Sequence, residues 1–367
     1  MTRTADVIVI GAGMAGAGAA ARLAPQARVV VLEMEERPAY HTTGRSAATF
    51  ILNYGNAVLR ALNRASEEVL RTGADLAERG FLSPRGLLYV AAEGHEAHLD
   101  HAMQGASGME EIGADEAVGL FPLLRRDRIT RAAVERDASD IDVDALLQAF
   151  LRKLRTHGGE LVARAEVHAM RREAGIWRVG TAAGPFEAPV VINAAGAWGD
   201  VIAARAGIAP VGLQPMRRSI AVVRLPEGQD PRGWALVASA AEDWYAKPDG
   251  GRLWVSPADE GPVEPHDAWP DDMVLAEGIE RFQNMVDMEV TRVERSWAGL
   301  RTFAPDRTPV AGPEPGAEGF CWLCGQGGYG IQTSPALSRL AADLVLGLPP
   351  ALPDSTVAAL SPSRFRT

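Results

Sequence analysis

Three groups of residues in this 367-residue chain have types and spacings suited to chemistry. Gly11-Ala12-Gly13-Met14-Ala15-Gly16 is a G-x-G-x-x-G run, and Glu33 stands 22 residues after its first glycine. Gly11 permits a tight turn, Gly13 lets backbone approach a pyrophosphate, and Gly16 lets a helix pack closely on a strand. Glu33 can accept both hydroxyls of a ribose and would repel a 2′-phosphate. A second glycine cluster, Gly325-Gln326-Gly327-Gly328-Tyr329-Gly330, precedes Thr333 and Ser334 as N-cap candidates and Pro335 at N1. That is a second helix start able to receive negative charge. The third group is cationic: Arg301 in an apolar stretch, and the adjacent Arg217 and Arg218. A guanidinium fork suits a carboxylate better than an ammonium does. Arg301 reads either as one half of a structural ion pair or as the seat of a substrate carboxylate.

These groups need elements to hold them. Asp6–Ile10 and Arg28–Leu32 read as buried parallel strands flanking a helix over Ala17–Leu23. Strand, glycine turn, helix, strand and acid together make the dinucleotide-binding unit, which by itself fits NAD or FAD. Its place near one end of the chain, with the second glycine cluster near the other, points to a ligand that reaches across the fold. Pro38–Ala48 is a loop of small and hydroxylated residues that can lie against a flat ligand. A helix follows, with Val58, Leu62, Ala65 and Val69 on its apolar face. Phe81–Ala92 is extended and broken at Pro84-Arg85-Gly86. Strands are predicted over Glu160–Arg172, Ile176–Thr181 and Val190–Asn193, the last running into small residues. A second domain spans roughly 214–295, with an amphipathic stretch over Met273–Val286. Neighbours on a strand face opposite ways, so only one of Arg217 and Arg218 enters a site; Arg218 is chosen. Tyr245, beside a Lys-Pro-Asp turn, fits a phenol aimed at a cleft.

Composition bounds the function. With 47 acids against 37 bases the net charge is −10, which argues against nucleic acid or an anionic membrane as partner. The uncharged stretch Val7–Ala21 is shorter than the ~20 residues a membrane span needs. Its four glycines and Asp6 at its mouth argue against a signal peptide, so a cytoplasmic protein without a transmembrane segment is expected. Cys321 and Cys324 lie in one apolar strand and lack the second pair that a zinc site wants. Asp140, Asp142 and Asp144 alternate as in a calcium loop, but Ala145 and Leu151 stand where the turn glycine and bidentate glutamate belong. Asp142 reads instead as the N-cap of a helix bearing Val143, Leu147, Phe150 and Leu154 on one face. His95, His98 and His101 read as a solvated helix face. No metal is expected.

Four separated stretches, Gly11–Glu33, His41–Ala48, Val190–Trp198 and Gly325–Thr333, resemble the D-amino-acid oxidase (DAO) family of FAD-dependent oxidoreductases. Within it, Gly212–Pro215, Arg217–Ser219, Tyr245, Lys247–Asp249, Trp297–Arg301 and Gly327–Ser334 look most like the bacterial D-arginine dehydrogenases. The resemblance covers nearly the whole chain. It implies an α/β (α+β overall) fold, in which a Rossmann-like FAD-binding domain (1–75, 140–215 and 298–367) is interleaved with a substrate domain on a mixed or antiparallel sheet (76–139 and 216–297). FAD contacts are implied in the first unit at Gly11, Gly13, Met14, Ala15, Gly16, Glu33 and Met34. In the loop they are implied at His41, Thr42, Thr43, Arg45, Ser46, Ala47 and Ala48. Val167, Ala195, Gly196, Trp198 and Arg301 are further contacts, with Gly327, Gly328, Tyr329, Gly330, Ile331 and Gln332 near the flavin ring. Arg218, Arg301 and Tyr245 would hold a substrate carboxylate, with Tyr54 nearby.

The implied reaction is oxidative deamination of a D-amino acid. Hydride passes from Cα to flavin N5, the imino acid becomes a 2-oxo acid and ammonia, and a quinone or O₂ takes the electrons. Relatives that favour cationic side chains carry an acid at the position held here by Leu87, so an apolar or small side chain is expected. The alternatives are a glycine- or sarcosine-type amine oxidase and a 2-hydroxy-acid dehydrogenase. The last would want a base such as histidine, and His41, alone among the histidines in falling within a cofactor-contacting stretch, reads as loop support.

Overall fold

Unbroken apolar runs decide the first layer. The computed structural model describes residues 2–366, in which Val7–Ile10 and Val29–Leu32 are buried throughout and pair in parallel. Val190–Asn193 pairs on the other flank, followed by Phe320–Cys324, both parallel; Glu160–Val162 and the antiparallel Val310–Pro313 form the edges of this six-stranded sheet. Side chains alternate between its faces. Val7, Val9, Val29 and Val31 pack against the helices Met14–Leu23, Val143–Thr156 and Ser334–Leu346. Ile8, Ile10, Val30 and Leu32 pack against a four-stranded sheet that includes Val167–Glu173 and Ile176–Thr181. The glycines and alanines of Met14–Leu23 let that helix lie close among its neighbours.

The second layer is an eight-stranded sheet. Its order is Val293–Phe303, Gln214–Arg224, Arg252–Ser256, Tyr245–Asp249, Leu236–Ser239, Leu87–Ala91, Arg131–Glu135 and Met109–Ile112. Leu236–Ser239 runs parallel to Leu87–Ala91, and the other pairs are antiparallel. One face, with Leu88, Val90, Val237, Ala246, Leu253 and Val255, is covered in part by Phe282 and Met285 of the helix Asp272–Met285. The other face looks toward the glycine-bearing ends of the first sheet.

Several expectations are corrected. Glu160–Arg172 is two strands in different sheets, because the chain turns at Arg164 (φ 53°), where the Arg164 and Ala165 amides donate to the carbonyls of Glu35 and Glu33. In the helix Ala57–Thr72 the buried stripe is Leu59, Leu62, Asn63, Ser66 and Leu70, rather than the one through Val58, Ala65 and Val69. Buried Asn63 earns its place by donating to the carbonyls of Ile51, Leu52 and Tyr54. The expected boundaries at 215/216 and 297/298 fall inside the strands Gln214–Arg224 and Val293–Phe303, each of which belongs whole to the eight-stranded sheet. Pro335 is the second residue of its helix, and the Thr333 hydroxyl donates to the Tyr329 carbonyl instead of capping. Asp142 does cap its helix, accepting from the Ala145 amide at 2.9 Å. Among the described residues no helix is long and apolar enough to cross a membrane.

Candidate functional site

A single cavity runs from the carboxyl ends of Val7–Ile10 and Val29–Leu32 to the facing side of the eight-stranded sheet. At its first end, Gly11 has φ 100°, and a Cβ there would sit 2.5 Å from the Ala194 carbonyl oxygen. Gly11 and Gly13 line the cavity. Gly16 does not; it packs against the Gly11 carbonyl, where a Cβ would collide. Met14 donates its amide to Thr43 Oγ1 at 3.0 Å. The N-cap position is Gly13, which has no side chain, and Gly13, Met14 and Ala15 line the cavity, so the positive end of the helix faces it. Glu33 is buried and accepts from the amides of Ala12 (2.7 Å) and Glu35 (3.0 Å). Burial holds its carboxyl above the ordinary glutamate value, against the opposing pull of those amides. This combination of clear backbone, helix start and buried acid fits the adenosine and diphosphate of FAD.

A test follows from Glu33. The ionised carboxylate is the better acceptor for ribose hydroxyls, and its raised pKa means that acidification neutralises it earlier than an exposed glutamate. FAD affinity therefore falls as pH drops through that raised value. Glu33→Gln binds FAD about tenfold more weakly, as loss of a charged hydrogen bond implies, and lacks this pH dependence. Fluorescence titration of the apoprotein across pH checks both.

The middle of the cavity is the 38–48 loop. His41 Nε2 pairs with Glu35 at 2.8 Å and its ring leans on Trp198, so it supports the loop as expected. Thr42 donates to the Leu300 carbonyl at 2.7 Å, joining the loop to the second sheet. Arg45 lines the cavity, but its guanidinium is taken by Asp267 and by the carbonyls of Ala268 and Ala298, so it braces the wall rather than offering a free charge. Met14, Ala15, Met34, Ser46, Ala47, Val167, Ala195, Gly196, Gly327, Gly328, Gly330 and Ile331 all line the cavity. Ala48, Tyr329 and Gln332 do not. Ala48, at φ 36°, packs against the core of the first layer; Tyr329 packs on Tyr54 and Phe303; Gln332 bonds to Asn63 and the Ile51 amide. Sequence reasoning missed Tyr40, Arg205, Gly299 and Gln326 in the lining. Tyr40 and Gln326 lay within the loop and the glycine cluster already singled out, Gly299 left a signal as a glycine within an apolar strand, and Arg205 left none.

At the far end, register assembles the cationic group. Gly299 lies opposite Arg218, and Met216 opposite Arg301, so the two arginines are diagonal neighbours on one face with no side chain between them at Gly299. Tyr245 pairs with Ser256 and Ala238 and points the same way. Arg217 faces away, toward Asp259 and Asp271. Burial and the neighbouring Arg301 charge hold Arg218 below its ordinary pKa. Arg301 has no acidic partner among the described residues; Tyr54 lies outside the cavity lining, yet its hydroxyl accepts from Arg301 Nη1 at 3.4 Å. That removes the structural ion pair as a reading of Arg301. The Tyr245 hydroxyl is buried with no partner, a cost that a ligand's acceptor would relieve. Two desolvated guanidiniums and a free phenol facing one space are suited to a carboxylate.

Gly328 makes this arrangement possible, because a Cβ there would lie 2.9 Å from Arg301 Cζ and Nη1. Its φ is one any residue adopts. Gly328→Ala is therefore expected to keep FAD and stability but push the guanidinium aside, raising KM for a carboxylate donor roughly tenfold or more. Steady-state kinetics on the flavin-loaded variant reads this out.

Beyond Tyr245 the same face carries Leu236, Ala238, Leu87 and Tyr89, and Ile51 packs among them. Glu135 is Leu87's cross-strand neighbour, but its two oxygens already accept from the Leu52 amide and Asn53 Nδ2, each at 2.9 Å. Cys321 and Cys324 sit in the Phe320–Cys324 strand, and burial pushes both thiols up to about 12. Thiolate chemistry is therefore absent there at neutral pH. No cluster of three or more potential metal ligands occurs among the described residues.

Comparison with known proteins agrees with this geometry. The profile of the DAO family, described as FAD dependent oxidoreductase, matches residues 6–344. A glycine oxidase of Bacillus licheniformis is 27% identical over 370 residues, covering 95% of each chain. The crystal structure of glycine oxidase from Geobacillus kaustophilus superposes with a TM-score of 0.84 at 24% identity, over 99% of both chains. That of L-proline dehydrogenase from P. horikoshii superposes with a TM-score of 0.85 at 22% identity, over 100% of this chain and 98% of the other. At those identities the two structures speak for the fold. The extent of the family match decides the assignment: the chain belongs to the DAO family of FAD-dependent oxidoreductases.

Proposed function

We propose that the protein oxidises the Cα–N bond of a D-amino acid with an apolar or small side chain, yielding an imino acid that hydrolyses to a 2-oxo acid and ammonia. The observation that carries this reading is the Arg218–Arg301 pair with the unpartnered Tyr245 hydroxyl on one sheet face. Bound FAD supplies the hydride acceptor for such a reaction. Gly11, Gly13, Glu33, Thr43 and the 327–331 backbone would hold it, and the small side chains there leave room for a flat ring system.

The chain's own residues supply placement. Two charge-assisted pairs fix the donor's carboxylate, and Tyr245 adds a third bond, so that Cα is held in one orientation; such positioning supplies much of the rate enhancement. The amine needs no protein base if it binds neutral. Leu87, Leu236 and Ala238 favour an apolar side chain. The D configuration is supported by the resemblance at Tyr245, Lys247–Asp249 and Gly327–Ser334. A cytoplasmic setting belongs to the same proposal, in keeping with two free cysteines.

A second reading, glycine or a small secondary amine as donor, is favoured by the glycine oxidases among the relatives. A 2-hydroxy acid is disfavoured by the cavity: His41 is its one histidine, and its Nε2 is committed to Glu35. Anaerobic mixing of the flavin-loaded protein with D- and L-amino acids, glycine, sarcosine and 2-hydroxy acids separates these. Bleaching by apolar D-amino acids is expected. Bleaching by L-amino acids alone, or by glycine or sarcosine alone, overturns the proposal.

A further inference from the structure

Resting on that reading of the arginine pair, we propose that Glu260 is a resident counter-anion of Arg218, which competes with the donor's carboxylate and retires onto Arg307 when the donor binds. Glu260 lies in the connection between the Arg252–Ser256 strand and the Asp272–Met285 helix. Its Oε1 accepts from Arg218 Nη2 at 3.0 Å, while Arg307 Nη2 donates to both of its oxygens at 3.1 and 3.0 Å. One carboxylate is thus shared between an arginine inside the site and one outside it.

The surroundings make the inner contact the replaceable one. The backbone beneath Glu260 is held in place. Asp259 accepts from the Ser219 amide and hydroxyl at 2.6 and 2.9 Å; its carbonyl accepts from Arg218 Nε at 2.8 Å; and the Gly261 carbonyl accepts from the Arg217 amide at 2.9 Å. Only the Glu260 side chain is left to turn. It is one-third exposed, whereas the Arg218 side chain is 11% exposed. An incoming carboxylate meets Arg218, Arg301 and Tyr245 together, whereas Glu260 reaches Arg218 alone of these three. Arg307 is a stable second seat: its guanidinium stacks 3.8 Å over the Phe303 ring. While the site awaits its donor, Glu260 offsets the repulsion between two desolvated guanidiniums. The same negative charge weakens the field that draws in a donor's carboxylate.

The test titrates the flavin-loaded protein with propionate, a carboxylate that cannot be oxidised at an amine, and follows the flavin absorption. Glu260→Gln, which keeps shape and removes charge, is expected to tighten propionate binding roughly fivefold, the scale of one partly exposed ion pair. Arg307→Gln is expected to weaken binding by a similar factor when Glu260 is present, since Glu260 then has Arg218 alone, and to have little effect in a Glu260→Gln background. Unchanged or weaker binding in Glu260→Gln, or equal effects of Arg307→Gln in both backgrounds, overturns the inference while the arginine-pair reading stands. Propionate that leaves the flavin unperturbed, or that binds Arg218→Ala and Arg301→Ala as well as the parent, overturns both.

Discussion

Arg301→Ala is expected to lower kcat/KM for the amino-acid donor by about two to four orders of magnitude while FAD stays bound. The estimate comes from losing two charge-assisted hydrogen bonds at roughly 1.5–3 kcal/mol each, with tenfold for each 1.4 kcal/mol. Arg301 is half-buried, diagonal to Arg218, and bonded only to Tyr54, so its removal strands no protein carboxylate. The protein should fold normally. Arg301→Lys restores the charge but not the planar fork, and its activity is expected to lie between the two. Separate kcat and KM values refine the outcome. A rise in KM alone means that Arg301 only captures the donor; a fall in kcat means that it also sets the angle at Cα. Unchanged turnover in the alanine variant would remove the carboxylate clamp from the account.

The second large effect is expected from a residue that lines no cavity. A Cβ at Gly16 falls on the Gly11 carbonyl oxygen, which is backbone and cannot swing aside. Gly16→Ala must therefore lift the Met14–Leu23 helix off the Val7–Ile10 strand, displacing the turn that faces the diphosphate. The expected product is colourless, and its stability is lowered by about 1–3 kcal/mol, as for an overpacked core. Gly18→Ala is the matched control. Its Cβ meets the Ser338 Cβ at 2.9 Å, a side chain of the neighbouring helix and away from the phosphate turn. It should cost stability yet keep its flavin. The ratio of flavin to protein absorbance after purification, together with thermal melts, distinguishes the two.

How far the site could be read in advance depended on the range of the interactions. The Gly11–Glu33 unit was legible because each part of it answers to its immediate neighbours: β-branched strands, a turn needing positive φ, and an acid at a fixed distance. Alternation also separated Arg217 from Arg218 onto opposite faces, since one strand suffices for that argument, but it did not say which face meets the cavity. The role of Arg45 was not legible. Its loop suggested a cofactor contact, but Asp267 and the Ala298 carbonyl, which occupy it, arrive from elsewhere in the chain. The stripe of Ala57–Thr72 failed for a similar reason. Asn63 and Ser66 look like solvent residues until Gln332 and the Ala336 amide are brought against them. Tyr329 and Gln332 shared a glycine-rich stretch with true lining residues, and only their packing partners separate them. Glu260 gave no local signal, because its meaning depends on Arg218 and Arg307 at once.

The position of Phe320–Cys324, inserted beside Val190–Asn193, sets an order of events during synthesis. Until the segment around Phe320–Cys324 leaves the ribosome, the inner edge of the dinucleotide sheet lacks its neighbour, and the glycine-rich segment that follows cannot reach Arg301. Such an apolar edge, waiting for a distant segment, is prone to self-association. Translation that stops short near residue 310 should accordingly give insoluble chains rather than a smaller working enzyme.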